Sequence, residues 1–149
     1  MYDTRFNIGN LGEEVVKNFF INATRTSNWF DSTKDGNIGE LTYEVKTMRL
    51  NIKTKKFWVG QNKTNSMWNK LDGVDLLFFV KIPESETENA ILYLCIDHKN
   101  SWQMCYRNDK TPCRGYMLEK CIPLMLLDDE KSNYLLEHSK SISKHRRFS

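Results

Sequence analysis

Two carboxylates and a lysine lie close together in the sequence, at Asp35, Glu44 and Lys46. Successive side chains of a β-strand point to opposite faces, so Glu44 and Lys46 share one face if this segment is extended. Asp35 precedes Glu44 by nine residues across a glycine-bearing turn, which is long enough for the two carboxylates to converge. Two hard oxygen donors placed in this way favour Mg²⁺, for which Mn²⁺ can substitute, and the backbone carbonyl of Val45 is a further candidate ligand.

A carboxylate pair beside a lysine suits the hydrolysis of a phosphodiester. That reaction needs water made nucleophilic near neutral pH, and it needs relief of the negative charge that builds up at phosphorus and on the leaving oxygen. A bound metal ion supplies much of both. Lys46 can contact the attacking water or the scissile phosphate. The residues therefore predict a metal-dependent phosphodiester hydrolase.

The hydrophobic patterns around these residues predict an α/β or α+β sheet domain. A helix is expected over 11–23, a strand over 41–48, and a short strand at 57–59 followed by a helix up to about residue 71. Nearly continuous apolar runs at 74–82 and 90–96 predict interior strands, and 104–106 and 116–122 predict edge strands. Pro123 is expected to open a closing helix.

The order of these chemical groups resembles that of the PD-(D/E)XK nucleases, the restriction-endonuclease-like superfamily. The matching segments are Gly12-Glu13-Glu14 on the first helix, Asp35-Gly36, and Tyr43-Glu44-Val45-Lys46-Thr47 on the strand. The resemblance covers roughly residues 8 to 82, and no proline precedes Asp35, whose neighbour is Lys34. It implies an αβββαβ core with a mixed central sheet, dependence on a divalent metal, and cleavage of DNA.

Two further site residues follow from the resemblance. At about 100° per residue, Glu13 lies roughly 110° from the centre of the apolar helix face and Glu14 roughly 150°, so Glu13 is nearer the buried boundary. Glu13 is therefore the choice for a second metal or for the water shell of the first, with Glu14 as the alternative. In several branches of the superfamily a glutamine beyond the Glu-x-Lys also enters the site, and Gln61 is the candidate here.

Basic residues are concentrated in two regions, although the net charge is only +3. The first follows the Glu-x-Lys segment and predicts contacts with a DNA backbone through Lys53, Lys55, Lys56 and Lys63. The alternative is that these lysines only keep a loop solvated. The second region is the stretch 139–149, which is expected to be a basic tail, polar enough to fray, after a single domain over 1–138.

The other reactive residue types predict no additional site. The four cysteines lack a C-x-x-C pair and are expected to be buried or unreactive thiols rather than a zinc set. His98, His138 and His145 lack metal-ligand spacing and are expected at the surface, and the four tryptophans are expected to pack rather than to stack on bases. No apolar run reaches the roughly 20 residues that span a bilayer, so no membrane partner and a cytoplasmic location are expected.

The sequence thus predicts a Mg²⁺-dependent DNA endonuclease. The alternatives are a non-catalytic nucleic-acid-binding module on the same fold and an interaction protein without a role on DNA. The superfamily includes restriction and homing endonucleases, junction resolvases and repair nucleases, and the fold does not choose among them. Because the chain has little room for a separate recognition domain, a homodimer or higher homo-oligomer is expected.

Overall fold

The computed structural model describes residues 4–26, 34–60, 66–106 and 112–147. The helices in these ranges are α1 (Thr4–Phe19), α2 (Ser66–Gly73) and α3 (Asp129–Arg147), with a 3₁₀ turn at Leu118–Lys120. The strands are β1 (Ala23–Arg25), β2 (Gly36–Ile38), β3 (Leu41–Met48), β4 (Lys56–Gly60), β5 (Leu76–Lys81), β6 (Ile91–Cys95), β7 (Gln103–Tyr106), β8 (Pro112–Met117) and β9 (Cys121–Leu126).

Six of these strands form the central sheet, in the order β1-β2-β3-β5-β6-β9. Strands β3 and β5 are parallel, and the other neighbours in this sheet are antiparallel. The remaining strands form a small antiparallel sheet in the order β4-β8-β7. The fold is therefore α+β with a mixed sheet and a C-terminal helix, which confirms the predicted class at that level.

Strand β5 separates two hydrophobic cores. Phe78 and Val80 point towards α1 and α3, whereas Leu77 and Phe79 point towards α2 and the small sheet. The Phe79 ring stacks on Phe57 of β4 with centroids 4.3 Å apart. A strand covered on both faces is expected to be nearly continuously apolar, as the sequence of β5 is.

Helix α1 lies close to β3 because residue 12 is a glycine. A Cβ at Gly12 would lie 2.0 Å from Thr47 Oγ1 and 3.5 Å from Val45 Cγ1. Val15 and Val16 follow on the same helix and are buried in the core that α1 shares with α3. The absence of a side chain at residue 12 thus fixes the height of α1, and of Glu13, above the sheet.

Helix α2 is fastened at its C-terminal end. Arg114 of β8 makes two hydrogen bonds to Asp72, at 2.7 and 3.1 Å, and stacks on the ring of Trp68. His98 Nε2 donates to the carbonyl of Val74 at 2.9 Å. His98 is only 5% exposed, so the prediction that it lies at the surface is wrong: its imidazole satisfies a carbonyl just beyond the end of α2.

Three expected boundaries differ from the structure. Helix α1 begins at Thr4 and ends at Phe19, so both ends come earlier than the expected 11–23, and Asn10 lies within the helix, where its Oδ1 accepts a hydrogen bond from Arg25. Pro123 lies in β9, not at the start of a helix. An edge strand tolerates a residue without an N–H, and β9 is such a strand, with an irregular register between Leu92 and Tyr93 opposite it.

The closing helix α3 begins instead at Asp129, and Asp128 caps it by accepting the amide hydrogen of Lys131 at 2.8 Å. The helix continues to Arg147, so the expected boundary between a domain ending at residue 138 and a tail falls within it.

Three of the cysteines are buried, namely Cys95, Cys113 and Cys121. Cys95 lies directly opposite Cys121 on neighbouring strands. Within the ranges that the structure describes, no helix has the length and apolar character to cross a membrane.

Candidate functional site

Asp35 is held against the middle of β3. Its backbone N–H donates to the carbonyl of Tyr43 at 2.8 Å, and its Oδ2 accepts the N–H of Val45 at 2.8 Å. The next residue, Gly36, allows this approach, because a Cβ there would lie 2.0 Å from the carbonyl oxygen of Thr24. The carboxylate of Asp35 is therefore fixed beside the residue that lies between Tyr43 and Val45, which is Glu44.

Glu44 and Lys46 lie on the face of β3 opposite to Tyr43 and Val45. Tyr43 and Val45 belong to the core under α1, so the alternation of the strand directs Glu44 and Lys46 towards α2. Lys46 Nζ lies 3.7 Å from Glu44 Oε1. The side chain of Glu44 is 3% exposed and that of Lys46 is 19% exposed, so the lysine is the nearer of the two to solvent.

Lys70 of α2 joins the two carboxylates. Its Nζ lies 2.8 Å from Asp35 Oδ1 and 2.9 Å from Glu44 Oε2. Asp35 and Glu44 therefore converge on one point, as expected from the sequence. Lys70 was not predicted from the sequence to belong to the site, although it lies 35 residues after Asp35, on the helix that precedes β5.

Hydrogen bonds join the start of β3 to Asp75, the residue just before β5. Thr42 donates its N–H and its hydroxyl hydrogen to Asp75 Oδ2, at 2.9 and 3.2 Å, and Asp75 N–H donates back to the hydroxyl of Thr42. These bonds accompany a parallel register in which Tyr43 is opposite Leu76 and Glu44 is opposite Leu77. Because α2 ends at Gly73, two residues before Asp75, the same contacts help to set where Lys70 lies along Glu44.

The two glutamates of α1 lie at the rim of this site, around Arg25. Arg25 makes a 2.5 Å hydrogen bond to Glu14 and lies 3.6 Å from Glu13 Oε2. The side chain of Glu13 is 25% exposed and that of Glu14 is 47% exposed. Burial, and then the charge of Asp35, raise the pKa of Glu13. Glu13 is thus the more buried of the two glutamates, and the charge of Asp35 contributes to its raised pKa.

The environment of the site opposes charge on Glu44. Burial, followed by the neighbouring charge of Asp35, raises the pKa of Glu44 to about 8. Burial lowers the pKa of Lys46. Burial also acts to lower the pKa of Lys70, but the charges of Glu44 and Asp35 outweigh it and raise that pKa above its ordinary value. Opposite shifts in neighbouring groups are frequent at sites that handle protons or metal ions.

The donor set fits a hard divalent cation. Asp35 and Glu44 each direct one carboxylate oxygen to the same point, and among the described residues Glu44 Oε2 has no hydrogen-bond partner, only the ion pair with Lys70. A buried carboxylate oxygen without a hydrogen bond is an open acceptor, and a hard cation that binds it would take the place of the Lys70 ammonium group. Within the described ranges, no three His, Cys, Asp or Glu side chains are gathered as a metal-binding group, so Glu13 does not complete a third ligand in this arrangement.

The other predicted residues have different positions. Val45 contributes its N–H to Asp35, whereas the role expected for its carbonyl stays a prediction. Gln61 and Lys63 lie outside the described residues. Lys53 and Lys55 are exposed at the turn between β3 and β4, whereas Lys56 is the half-buried first residue of β4, with its Nζ 5.3 Å from the ring centroid of Trp58.

Comparisons with protein-family models, with curated proteins and with solved structures found no match to this chain.

Proposed function

We propose that the protein is a Mg²⁺-dependent DNA endonuclease of the PD-(D/E)XK type, with Asp35, Glu44 and Lys46 at its centre. The single observation that carries the proposal is the convergence of Asp35 and Glu44 beside Lys46. One carboxylate oxygen of each residue lies within 2.9 Å of the same atom, Lys70 Nζ. Two carboxylates and an ammonium in such a position can bind a hard cation and a phosphate together.

The order of elements supports the same proposal. Along the chain the elements follow in the order α1, β1, β2, β3, β4, α2 and β5. Strand β4 belongs to the small sheet, and the other four strands belong to the central sheet. The first three strands are antiparallel neighbours, and β5 then adds parallel to β3. This order supports the αβββαβ core that the resemblance implies, with Asp35 immediately before β2 and the Glu-x-Lys on β3.

The residues of the site have separate roles in this proposal. Asp35 and Glu44 hold the metal ion, which when bound supplies an activated water and charge relief at the phosphate. Lys46 lies nearer to solvent than Glu44 and orients the attacking water or the scissile phosphate. Glu13 holds water at the rim, and its raised pKa suits a group that shares protons with that water. Lys53, Lys55 and Lys56 contact the DNA backbone.

The substrate class is DNA, and the proposed active form is a homodimer. One set of catalytic residues cuts one strand, so two symmetry-related copies are required to cut both strands of a duplex in one encounter.

The proposal is tested by incubating wild-type protein with supercoiled plasmid and with branched duplex DNA, in the presence of Mg²⁺, Mn²⁺ or EDTA. Metal-dependent nicking is expected, with a loss of at least about 100-fold in Glu44→Gln and in Lys46→Met. Lys81→Met is the matched control, because Lys81 is also about one-fifth exposed and pairs with a glutamate, at 3.8 Å.

Nicking that survives Glu44→Gln and Lys46→Met in pure preparations would show that the site is elsewhere. Salt-sensitive DNA binding without cleavage in any metal would instead identify a non-catalytic nucleic-acid-binding module.

A further inference from the structure

Lys70 occupies the point that the two carboxylates share. Its Nζ lies within 3 Å of one oxygen from each of Asp35 and Glu44, whereas Lys46 contacts Glu44 alone, at 3.7 Å. A Mg²⁺ or Mn²⁺ ion held by both carboxylates must bind the same region at about 2.0–2.2 Å from their oxygens. An ammonium group and a metal ion cannot both lie there, because their charges repel and their volumes overlap.

The net charge of the site also depends on Lys70. With Asp35 and Glu44 ionised, Lys46 and Lys70 bring the four-residue cluster to a formal charge of zero. Removing the positive charge at residue 70 leaves the cluster with a formal charge of −1. A divalent cation is attracted more strongly to the second arrangement.

The position of Lys70 is set by the fold. Its helix is fixed by Arg114 bound to Asp72 and by His98 bound to the carbonyl of Val74. The side chain of Lys70 is 15% exposed, so its ammonium is enclosed with the carboxylates. The lysine is therefore presented to Asp35 and Glu44 by a helix that these contacts hold in place.

We propose that Lys70 is a built-in competitor of the catalytic metal ion, whose ammonium group and a divalent cation exclude each other at Asp35 and Glu44. Lys70 thereby sets the metal affinity of the site and holds the two carboxylates together when metal is scarce. The proposal rests on the proposed function, in which these two carboxylates are the metal ligands.

The test is a titration of the full chain with Mn²⁺, in which free Mn²⁺ is followed by electron paramagnetic resonance. Lys70→Met is expected to bind Mn²⁺ about tenfold more tightly than wild type. Lys70→Arg keeps the positive charge and is expected to bind no more tightly than wild type.

Lys46→Met is the matched charge control. It removes one positive charge from the same cluster but leaves the shared point occupied by Lys70, so it is expected to tighten Mn²⁺ binding by less than Lys70→Met does. Equal tightening in the two variants would overturn the proposal, because loss of charge alone would then explain both.

A second measurement uses the wild-type protein. Amine-reactive labelling read by mass spectrometry is expected to modify Lys70 faster when Mg²⁺ is present, because the displaced ammonium loses its carboxylate partners. Lys131, which pairs with Asp128 at the surface, is the internal control and should not respond. Labelling of Lys70 that is unaffected by Mg²⁺ would contradict the proposal even if Lys70→Met failed to fold.

The outcomes separate this proposal from the nuclease function. If Glu44→Gln abolishes Mn²⁺ binding while Lys70→Met leaves it unchanged, Lys70 is only a structural ion-pair partner and the nuclease proposal is unaffected. If Lys70→Met tightens Mn²⁺ binding and the protein still cuts no DNA, the competition stands and the nuclease function fails. If neither wild type nor Lys70→Met binds Mn²⁺, both proposals fail.

Discussion

At the scale of single residues, the burial of Glu44 makes the stability of the fold depend on pH. It is 2% exposed, and its burial and the charge of Asp35 raise its pKa to about 8. The folded protein therefore binds this proton more tightly than the unfolded chain, in which the pKa has its ordinary value of 4.5. The stability gained from the protonated form is present at low pH and is lost as the pH rises from about 4.5 to about 8.

Replacing Glu44 with glutamine removes the ionisable group and therefore removes this loss of stability at high pH. In EDTA, Glu44→Gln is expected to melt within error of wild type near pH 4.5, and roughly 3 °C or more above it near pH 9, a gain of about 1 kcal/mol or more. The exposed Glu40→Gln is the control and should show no pH-dependent difference. A Glu44→Gln variant that melts below wild type near pH 9 would mean that the ion pairs of ionised Glu44 outweigh its burial.

The residues of the site differ in how far the sequence could predict them. The meeting of Asp35 and Glu44 followed from their spacing and from the strand alternation, because both are properties of a few neighbouring residues. Lys70 could not be assigned in this way. Its contact with both carboxylates depends on how α2 lies across the sheet, and that depends on distant residues such as Arg114 and His98.

At the scale of elements, the spacing between α1 and β3 is set by Gly12. A Cβ at residue 12 would lie 2.0 Å from Thr47 Oγ1, so either the threonine rotates or the helix moves away from the strand. The same helix contains Gly9, where a Cβ would meet nothing within 4 Å. The two glycines therefore provide a matched pair in one helix.

Gly12→Ala is expected to destabilise the fold by about 1–2 kcal/mol despite the better helix propensity of alanine. Gly9→Ala is expected to be neutral or to stabilise by up to about 1 kcal/mol. Urea unfolding of both variants measures the difference. Thr47→Ala should relieve most of the cost of Gly12→Ala in the double variant, and a cost that is unchanged there would show that Thr47 is not the limiting contact.

Helices and strands could be predicted where the sequence has a single clear hydrophobic pattern. Strand β3 covers 41–48, as expected from its alternation, and β5 lies inside the expected apolar run. Pro123 was misinterpreted because a proline suits both the first turn of a helix and an edge strand. Only the sheet order, with β9 at the edge beside β6, decides between the two.

At the scale of the whole molecule, the proposed DNA surface includes the turn between β3 and β4. Asn51 Oδ1 accepts the N–H groups of Lys53 and Thr54, and Lys55 adopts a φ of 58°. These features give the turn a defined shape, and Lys53 and Lys55 are exposed on it. A shaped basic turn can make the same backbone contacts on any DNA sequence.

Replacing Lys53 and Lys55 with glutamine is expected to weaken DNA binding and to reduce the slope of log affinity against log salt by about 2. The matched control is the replacement of Lys99 and Lys120, which are also exposed and carry the same total charge. Fluorescence anisotropy over a range of salt concentrations measures both. Equal changes in the two double variants would indicate an effect of net charge and not of this turn.

The assignment of Asp35 and Glu44 as metal ligands is tested most directly by anomalous diffraction from crystals of the wild-type protein soaked in Mn²⁺. The predicted result is a manganese peak about 2.0–2.3 Å from a carboxylate oxygen of each residue, with Lys70 Nζ displaced from between them. The same soak of Glu44→Gln crystals should lose the peak. Fully occupied manganese elsewhere, with Lys70 still bridging the two carboxylates, would contradict the assignment.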